Sequence, residues 1–467
     1  MALLRCYLMP EGFFIMYNPH DTICAISTPP GESALAVVRL SGRLAKSITE
    51  KVFRGAELKD RYAAYGTIED KNRERLDEII AIWYKGPKSY TAEDLVEMIC
   101  HGGYVVSERL QSLLIEHGAR MAEPGEFTVR AFLNGRLDLT EAEAVNSVIK
   151  AKTSLAQKHA MDNLEGKLRE KLTFINDKLL ESIMLLEAEI DFADEEIDKT
   201  DPGLIKDKLN EITIAINELK STYDIGRISE GRARVAIVGV PNVGKSSLFN
   251  AILQSSRAIV TEVPGTTRDY LSEYVNIGGY PVILTDTAGI RESDEDIELL
   301  GITRSREMIE NSDLCIVVLD CSQPLSDDDN QIIELVTDKK CIVAVNKTDL
   351  VANIPQLNIK PALKEVVYLS AKTSIGIPEL INKIKTLLIN RDLGAGEGII
   401  LSQRQYNCAQ KASQSLDNAL EAIDLGEPEE IYVGFLHEAL DQIGEITGRI
   451  TSEDILNRIF SQFCIGK

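Results

Sequence analysis

Gly239-Val-Pro-Asn-Val-Gly-Lys-Ser246 is the stretch that decides the fold, because it fits the pattern G-x-x-x-x-G-K-[ST]. The apolar, β-branched run Val235-Ala-Ile-Val238 comes before it and predicts a buried strand. Ser247-Leu-Phe-Asn-Ala-Ile-Leu253 follows, with apolar residues at helical spacing. A strand, a glycine-bounded loop and a helix N-terminus together form an anion cradle. The sequence therefore predicts a phosphate-binding loop, in which Lys245 reaches the β- and γ-phosphates and Ser246 binds Mg²⁺.

Three downstream motifs exclude a chance glycine loop. Asp286-Thr-Ala-Gly289 follows a predicted strand, at the position where a Mg²⁺-associated carboxylate belongs. Asn346-Lys-Thr-Asp349 follows the next buried run, and an Asp carboxylate can accept both N1–H and the exocyclic amine of guanine, a pair that adenine does not offer. Val366-Val-Tyr-Leu-Ser-Ala-Lys372 closes the base pocket. The order of these motifs predicts a GTP-binding domain with ligands at the carboxyl ends of its strands.

Composition limits the remaining possibilities. The chain has 467 residues, enough for about three domains, and a formal net charge of −22 argues against broad, non-specific nucleic-acid binding while allowing a local basic patch. Eight cysteines show no C-x-x-C pair, which is typical of reduced thiols and predicts a cytoplasmic protein. No apolar run reaches bilayer length, so no membrane association is expected. Residues 1–20 read as an N-terminal extension.

Hydrophobic periodicity predicts an α/β unit inserted in a helical domain. Short strands alternate with helices up to about residue 134, and Ile175, Leu179, Ile183 and Leu186 then begin a purely helical pattern that returns after residue 390. Two amphipathic stretches that flank one α/β unit are expected to pack together. The predicted boundaries are 1–20 for the extension, 21–134 for an α+β domain, 135–230 and 390–467 for the helical domain, and 231–389 for the inserted domain.

Two details distinguish the inserted domain from a Ras-like switch. Ile290 stands where Ras-like proteins place the glutamine that orients the attacking water, so another group, such as an arginine acting in trans, must supply that function. In the run 261–269, Thr267 is placed to cover Mg²⁺, and neighbouring carbonyls together with Asn242 could bind a monovalent cation beside the phosphates. A loop-capping role for Asn242 is an equal alternative.

These motifs resemble those of the potassium-dependent GTPases of the Era/TrmE class. The tail Phe460-Ser-Gln-Phe-Cys-Ile-Gly-Lys467 narrows the resemblance, because it is similar to the terminal C-[ILF]-G-K signature of the MnmE (TrmE) family of tRNA-modification GTPases. Three further runs match that family, namely residues 22–31, 124–134 and 191–198. The resemblance covers the chain from about Asp21 to Lys467.

The resemblance implies a multidomain α/β and α architecture. An N-terminal α+β domain binds tetrahydrofolate and dimerises, an all-α domain follows, and a Ras-like P-loop GTPase domain is inserted in it. The resemblance also implies a homodimer that forms a heterotetramer with the FAD-binding protein MnmG (GidA). Together they add an aminomethyl or carboxymethylaminomethyl group to C5 of the wobble uridine of certain tRNAs. The carbon comes from a formyl or methylene tetrahydrofolate, and the cofactors are GTP, Mg²⁺ and K⁺.

Site residues implied by the resemblance fall into four sets. The folate set is Arg39, Glu97, Arg136 and Lys467, with arginine at 136 where relatives often have lysine. The cation sets are Asn242, Thr261, Val263 and Thr266 for K⁺, and Ser246 and Thr267 for Mg²⁺. The catalytic set is Glu298, which positions the attacking water, with Lys245, Thr267 and Cys464. The GTP-contacting set is Asn242, Val243, Gly244, Lys245, Ser246, Ser247, Thr261, Glu262, Val263, Pro264, Gly265, Thr266, Thr267, Asp286, Thr287, Ala288, Gly289, Asn346, Lys347, Asp349, Ser370, Ala371 and Lys372.

Three questions stay open at the level of sequence. Cys464 is either a nucleophile or a buried, inert thiol. The helix predicted after Thr451 and Ser452 is expected to dock on the helical domain and to hold the tail in the folate pocket, with Gly466 bending the backbone. A GTP-dependent RNA-binding or ribosome-assembly factor without chemistry of its own is the competing function. A folate aminomethyltransferase acting alone would leave the GTP-binding domain unexplained.

Overall fold

The computed structural model describes residues 18, 20–191, 201–256, 271–286, 306–352, 365–389 and 396–467. Its chain divides into two compact units. The first unit is Met1–Asn146 with Gly444–Lys467, and the second unit is Ser147–Ile443. Within the described ranges, no helix combines the length and the apolar character needed to cross a bilayer.

The first unit contains a seven-stranded sheet with the strand order β3-β4-β5-β6-β2-β1-β7, in which only the β1–β7 pair is parallel. Its strands are β1 Ile23–Ile26, β2 Ser33–Ser41, β3 Phe53–Gly55, β4 Ala63–Glu69, β5 Arg75–Tyr84, β6 Leu95–Gly102 and β7 Arg120–Met121. The helices that begin in this unit are α1 Ala45–Val52, α2 Tyr104–Glu116, α3 Glu126–Leu133 and α4 Leu139–Lys150.

Strand β2 shows that one face of the sheet packs on the core and that the opposite face carries polar side chains. Val38 and Leu40 are fully buried in the core that α1 and α2 complete, because alternate side chains of a strand point to opposite faces. Arg39 lies on the other face and stands opposite Glu97 of β6 in the antiparallel register. The predicted α+β character of this region is confirmed.

The end of the chain belongs to the first unit. Helix α14, Glu453–Phe460, begins at Ser452, whose hydroxyl accepts a hydrogen bond from the Ile455 N–H, so the predicted cap is present. This helix packs against α3, and a Cβ at Gly125 would come within 2.7 Å of the Phe460 carbonyl oxygen. The sequence predicted docking on the helical domain instead. Phe460 is fully buried and its backbone lies close to Gly125 at the start of α3, so this helix is covered within the first unit.

The second unit contains a six-stranded sheet in the order β13-β12-β11-β8-β10-β9, parallel except for the hairpin strand β9. Its strands are β8 Ala233–Val238, β9 Leu271–Ile277, β10 Tyr280–Asp286, β11 Leu314–Asp320, β12 Cys341–Asn346 and β13 Val366–Tyr368. Its helices are α5 Ser154–Leu164, α6 Lys167–Asp191, α7 Pro202–Ser221, α8 Tyr223–Ser229, α9 Lys245–Ser255, α10 Asp327–Leu335, α11 Ile377–Leu388, α12 Gln403–Leu425 and α13 Glu429–Thr447, the last of which continues into the first unit.

The chain leaves and re-enters the helical part of this unit at neighbouring points. Helix α8 leads directly into β8, and on return the Ile399 carbonyl accepts a hydrogen bond from Asn163 while the Ile400 N–H donates to Thr222. The buried stripes of α6, α7 and α12 pack together, as the periodicity predicted. The fold class of an α/β P-loop domain within an α-helical framework is therefore confirmed, whereas the five segment boundaries stay predictions.

Candidate functional site

The phosphate-binding loop requires its glycines for steric reasons. Strand β8 ends at Val238 and α9 begins at Lys245, with Gly244 as the N-cap in the left-handed region at φ 99°. A Cβ at Gly244 would lie 2.4 Å from the Asn346 amide nitrogen, and one at Gly239 would lie 2.6 Å from the Val318 carbonyl oxygen. The loop is thus closed against β11 and β12, and it leads into the N-terminus of α9, where a helix can bind an anion.

Lys245 is held at the loop and keeps one donor for a ligand. Its ammonium nitrogen donates to the carbonyl oxygens of Gly239 and Val240, both at 2.9 Å. An ammonium has three N–H groups, so one remains to meet a phosphate oxygen. Burial lowers the pKa of Lys245, and the negative charge of Asp286 opposes that shift. Asp286 is fully buried at the end of β10, within electrostatic reach of Lys245, and its association with a metal stays a prediction.

Asn346 joins the phosphate loop to the base pocket. Its amide nitrogen donates to the Val243 carbonyl oxygen at 2.9 Å, and its amide oxygen accepts from the Ala371 N–H at 3.0 Å. Asp349 accepts a hydrogen bond from the Ser370 hydroxyl at 2.7 Å, which orients one carboxylate oxygen. Asp349 itself is exposed, so its other oxygen can face a guanine edge. The residues predicted to contact the base, Asn346, Lys347, Asp349, Ser370, Ala371 and Lys372, thus lie on two adjoining loops.

Asp320 is a site residue that sequence reasoning missed. It ends β11 in register with Asn346 of β12, and its carboxylate forms an ion pair with Lys347 at 2.6 Å. Burial acts to raise the pKa of Asp320, but hydrogen bonds from Lys347 and Ser322 outweigh it and hold the pKa below its usual value. Lys347 also donates to the Asn242 carbonyl oxygen at 2.8 Å, so this pair supports the phosphate loop. The sequence did contain a signal for Asp320, because it is a polar residue at the carboxyl end of the buried apolar run that forms β11.

Asn242 is exposed and has a left-handed backbone, with φ 64°, a conformation that asparagine tolerates better than most residues. Ser246 and Ser247 are exposed at the start of α9, and Val243 is buried beneath the loop. The other predicted ligands of the nucleotide and cations lie outside the described residues. These are Thr261, Glu262, Val263, Pro264, Gly265, Thr266, Thr267, Thr287, Ala288, Gly289 and the predicted water-positioning Glu298.

A second cluster lies in the first unit, on the face of the sheet opposite its core. The Arg39 guanidinium binds Glu97 through two nitrogens, with Nε to Oε1 at 2.8 Å and Nη2 to Oε1 at 2.7 Å. The two side chains are 19% and 21% exposed, so the pair is accessible from one side. Tyr84 donates from its hydroxyl to Glu97 Oε2 at 3.3 Å.

The C-terminal tail reaches this cluster. Its Gly466 carbonyl oxygen accepts from Arg39 Nη1 at 3.4 Å and from the Ser27 hydroxyl at 3.3 Å. Gly466 has φ 90°, and a Cβ there would lie 2.9 Å from the Ile26 carbonyl oxygen, so glycine is required for this approach. Burial and then the charge of Arg39 lower the pKa of Lys467, while Glu97 opposes the shift. The last lysine is therefore within electrostatic reach of the ion pair.

Tyr90 connects Arg136 to the same cluster. The guanidinium carbons of Arg39 and Arg136 lie 5.8 Å and 5.1 Å from the centre of its ring, within cation–π range. Arg136 also donates to the Tyr90 carbonyl oxygen at 2.9 Å. All four residues predicted to bind folate are thus brought together, around two tyrosines, Tyr84 and Tyr90, that the sequence reasoning missed. Cys464 is exposed, so the alternative of a buried thiol is wrong.

Two family models and several sequence relatives match most of this chain. Residues 22–136 match the family model described as GTP-binding protein TrmE N-terminus, and residues 139–464 match the one described as MnmE helical domain. Proteins named tRNA modification GTPase MnmE from Thermoanaerobacter pseudethanolicus and Carboxydothermus hydrogenoformans are each 42% identical, over 96% of this chain and 99% of theirs. A solved structure of Era with MgGDPNP and 16S ribosomal RNA nucleotides is 28% identical over 39% of this chain and 66% of that chain, with a TM-score of 0.28.

Proposed function

Because this chain belongs to the MnmE (TrmE) family of tRNA modification GTPases, we propose that it modifies the wobble uridine of certain tRNAs with a carbon from tetrahydrofolate. Family membership makes the chain a GTP hydrolase that acts in tRNA modification. The proposed product carries an aminomethyl or carboxymethylaminomethyl group at C5. The proposed partner is the FAD-binding protein MnmG, in a heterotetramer with a homodimer of this chain.

The convergence of the tail on the Arg39–Glu97 pair is the observation that carries the folate proposal. Arg39, Arg136 and Lys467 supply cations that suit the carboxylates of a folate glutamate tail. Glu97 accepts hydrogen bonds, so it suits the amino and ring N–H groups of a pterin. Bound formyl or methylene tetrahydrofolate would supply an electrophilic one-carbon unit. The protein residues hold and orient it, and Tyr84 and Tyr90 offer ring faces and hydroxyls beside it.

In the nucleotide site, the residues present fit GTP, Mg²⁺ and a monovalent cation. The glycine-bounded loop and Lys245 suit the phosphates, Ser246 and Asp286 suit Mg²⁺, and Asp349 suits guanine. The Asn242 side chain is exposed beside the loop, where its amide oxygen could bind K⁺. A cation there would offset charge that develops on the phosphates during hydrolysis. Lys245, Thr267 and Glu298 are the proposed catalytic groups for hydrolysis, and the proposed role of Cys464 is that of a nucleophile.

An open apolar face supports the proposed homodimer. Leu35, Tyr65 and Ile80 lie on the same side of the first unit's sheet as Arg39 and are 59%, 61% and 39% exposed. Tyr65 stands opposite Ile80 in the antiparallel register, so these two exposed apolar side chains are neighbours on the sheet. Apolar patches of this kind on a sheet mark association surfaces. A second copy of the chain is the proposed cover.

Nucleoside analysis of tRNA from a strain lacking this gene tests the proposed function. The modified wobble uridine should be lost, and a plasmid copy of the chain should restore it. A copy carrying Arg39→Ala should fail to restore it while keeping its GTPase rate, since Arg39 belongs to the first unit. A copy carrying Arg54→Ala, an exposed arginine of the same sheet, is the matched control. Unchanged nucleosides in the deletion strain would contradict the proposal and leave a ribosome-assembly role.

A further inference from the structure

Charge is distributed unequally between the two units. The first unit carries 20 Lys and Arg residues against 24 Asp and Glu, so its formal net charge is −4, whereas the second unit carries −18 of the total −22. A polyanion approaching the chain is therefore repelled much less by the first unit. Four of its 20 positive residues lie at one place, on two loops that hydrogen bonds join.

Two loops of the first unit form this place, which we call the basic edge and define as Lys59, Arg61, Tyr62, Lys85 and Lys88. The first loop comes just before β4, and the second comes just after β5. Three hydrogen bonds join them. The Arg61 N–H donates to the Trp83 carbonyl oxygen at 2.7 Å, the Lys85 N–H donates to Asp60 at 2.8 Å, and the Arg61 guanidinium donates to the Lys88 carbonyl oxygen. These bonds bring together two loops that carry four positively charged residues.

The nearby carboxylates of Asp60, Glu57 and Asp94 offset only part of this positive charge. Asp60 already accepts the Lys85 N–H and contacts the Arg61 guanidinium at 3.5 Å, so it is part of the scaffold of the edge. Glu57 lies 3.8 Å from Lys59, but both side chains are more than 60% exposed, and such pairs are weak and screened by salt. Lys85 and Lys88 are exposed.

One exposed aromatic side chain lies among these cations, and a second, Trp83, is partly buried and packs against the core. Tyr62 directly follows Arg61 and is 59% exposed. The ring of Trp83 lies beneath a further cation, with the Lys46 ammonium nitrogen 4.1 Å from its centre. A cationic surface with exposed aromatic rings is the composition that binds single-stranded nucleic acid, because the cations follow phosphates and the rings stack on bases. An acidic peptide could form ion pairs with the cations, but its carboxylates offer no ring that would stack on Tyr62.

The basic edge is continuous with the Arg39–Glu97 cluster. Tyr84 follows Trp83 in β5 and donates a hydrogen bond to Glu97. Burial raises the pKa of Tyr84, and the positive charge of Arg61 opposes that rise, so Tyr84 also interacts electrostatically with the edge. Tyr84 therefore lies between the basic edge and the Arg39–Glu97 cluster, which is proposed to hold the folate. A nucleic acid on the edge would have its neighbouring base close to that donor.

We propose that the basic edge binds the sugar–phosphate backbone of the tRNA anticodon loop and so brings its target uridine to the folate cluster. This inference rests on the proposed function, since it names where the substrate of that reaction docks. The phosphates pair with Lys59, Arg61, Lys85 and Lys88, and an unpaired base stacks on Tyr62.

Charge reversal on the full-length chain tests the inference. Lys59→Glu, Lys85→Glu and Lys88→Glu are combined in one variant, and the matched control combines Lys51→Glu, Lys71→Glu and Arg109→Glu, three exposed cations of the same unit. The probe is a fluorescent anticodon stem-loop RNA, titrated from about 50 to 200 mM salt. The edge variant should bind roughly 10- to 100-fold more weakly, with a shallower salt dependence by about 0.7 per lost contact. The control should change the affinity less than about 3-fold.

Each other outcome overturns the inference. Equal losses in the two variants would mean that only overall charge matters, and no loss in the edge variant would mean that the RNA binds elsewhere. If the edge variant keeps RNA affinity but loses the complex with the FAD-binding partner, the edge is a protein surface. If the unaltered chain binds no tRNA at any salt while hydrolysing GTP, the proposed function fails as well. The GTPase rate, and a milder set with Lys59→Gln, Lys85→Gln and Lys88→Gln, exclude misfolding as the cause.

Discussion

At the scale of single residues, base selectivity depends on Asp349. Its carboxylate is oriented by Ser370, and an amide in its place would present N–H where guanine N1–H needs an acceptor. We expect Asp349→Asn to weaken GTP binding by roughly 3 kcal/mol, about 150-fold, and xanthosine triphosphate to recover part of the loss. Titration with both nucleotides measures this. Asp328→Asn, an exposed aspartate at the start of α10, is the control, and an unchanged preference for GTP in Asp349→Asn would disprove the assigned pocket.

Asn242 offers a second test at this scale. Hydrolysis by the unaltered chain should be faster in potassium than in sodium salts, and Asn242→Ala should remove the preference while sparing nucleotide binding. Alanine is strained at φ 64°, so Asn242→Gly, which keeps that backbone, is the cleaner variant. Asn250→Ala on α9 is the control. If the role of Asn242 is loop capping, both Asn242 variants lose GTP affinity in both salts, and the cation assignment is wrong.

At the scale of elements, the tail and the sheet form one pocket. Deleting Cys464 to Lys467 removes the Gly466 carbonyl contact and the Lys467 charge, so formyl-tetrahydrofolate should bind at least about tenfold more weakly, or 1.4 kcal/mol. GTP affinity should hardly change, because the nucleotide site has its own core in the second unit. Isothermal titration of both ligands measures this. Cys464→Ser should keep full folate affinity, and equal affinity in the truncated chain would place the tail in another role.

Elements were more predictable than the contacts between them. Periodicity predicted the two helical stretches that contain the long helices α6, α7 and α12, because local spacing determines a helical pattern. The packing partner of α14 was wrong, since an apolar stripe does not say which apolar surface will cover it. Tyr90 was missed for a related reason. Its importance comes from two arginines distant in sequence that meet over its ring.

At the scale of the whole molecule, a buried ion network sets the acid stability of the first unit. Arg130 and Glu126 are fully buried and 3.0 Å apart, and Arg120 binds the same carboxylate at 2.7 Å. Burial alone would raise the pKa of Glu126, but hydrogen bonds from Arg120 and the Glu123 N–H outweigh it and lower the pKa below the ordinary value. The carboxylate therefore stabilises the fold above the unfolded-state pKa near 4.3, and this stabilisation is lost as pH falls through the lower, folded-state pKa.

Removing that carboxylate should remove this acid dependence. We expect Glu126→Gln to lower the free energy of unfolding of the first unit by about 3 kcal/mol at pH 7. Arg120 and Arg130 each lose one of two carboxylate partners and keep only Asp21 and Glu93. The chain has one tryptophan, Trp83, which lies in this unit, so its fluorescence in urea reports the first unit alone. Glu108→Gln, on the exposed side of α2, is the control. An unfolding curve that coincides with that of the unaltered chain would rule out the network as a stabilising feature.

The pairing of residues 1–146 with residues 444–467 has a consequence for protein synthesis. About 300 residues separate the two parts, and a ribosome adds roughly 5 to 20 residues per second, so the sheet waits about 15 to 60 s for the helix that covers α3. During that interval α3 lacks the helix that packs against it, and the second unit can fold first on its own core. A ribosome that stalls after residue 443 but before the C-terminal segment is made therefore releases a chain with a complete nucleotide site and an unfinished first unit. Such a chain would hydrolyse GTP without completing the folate cluster.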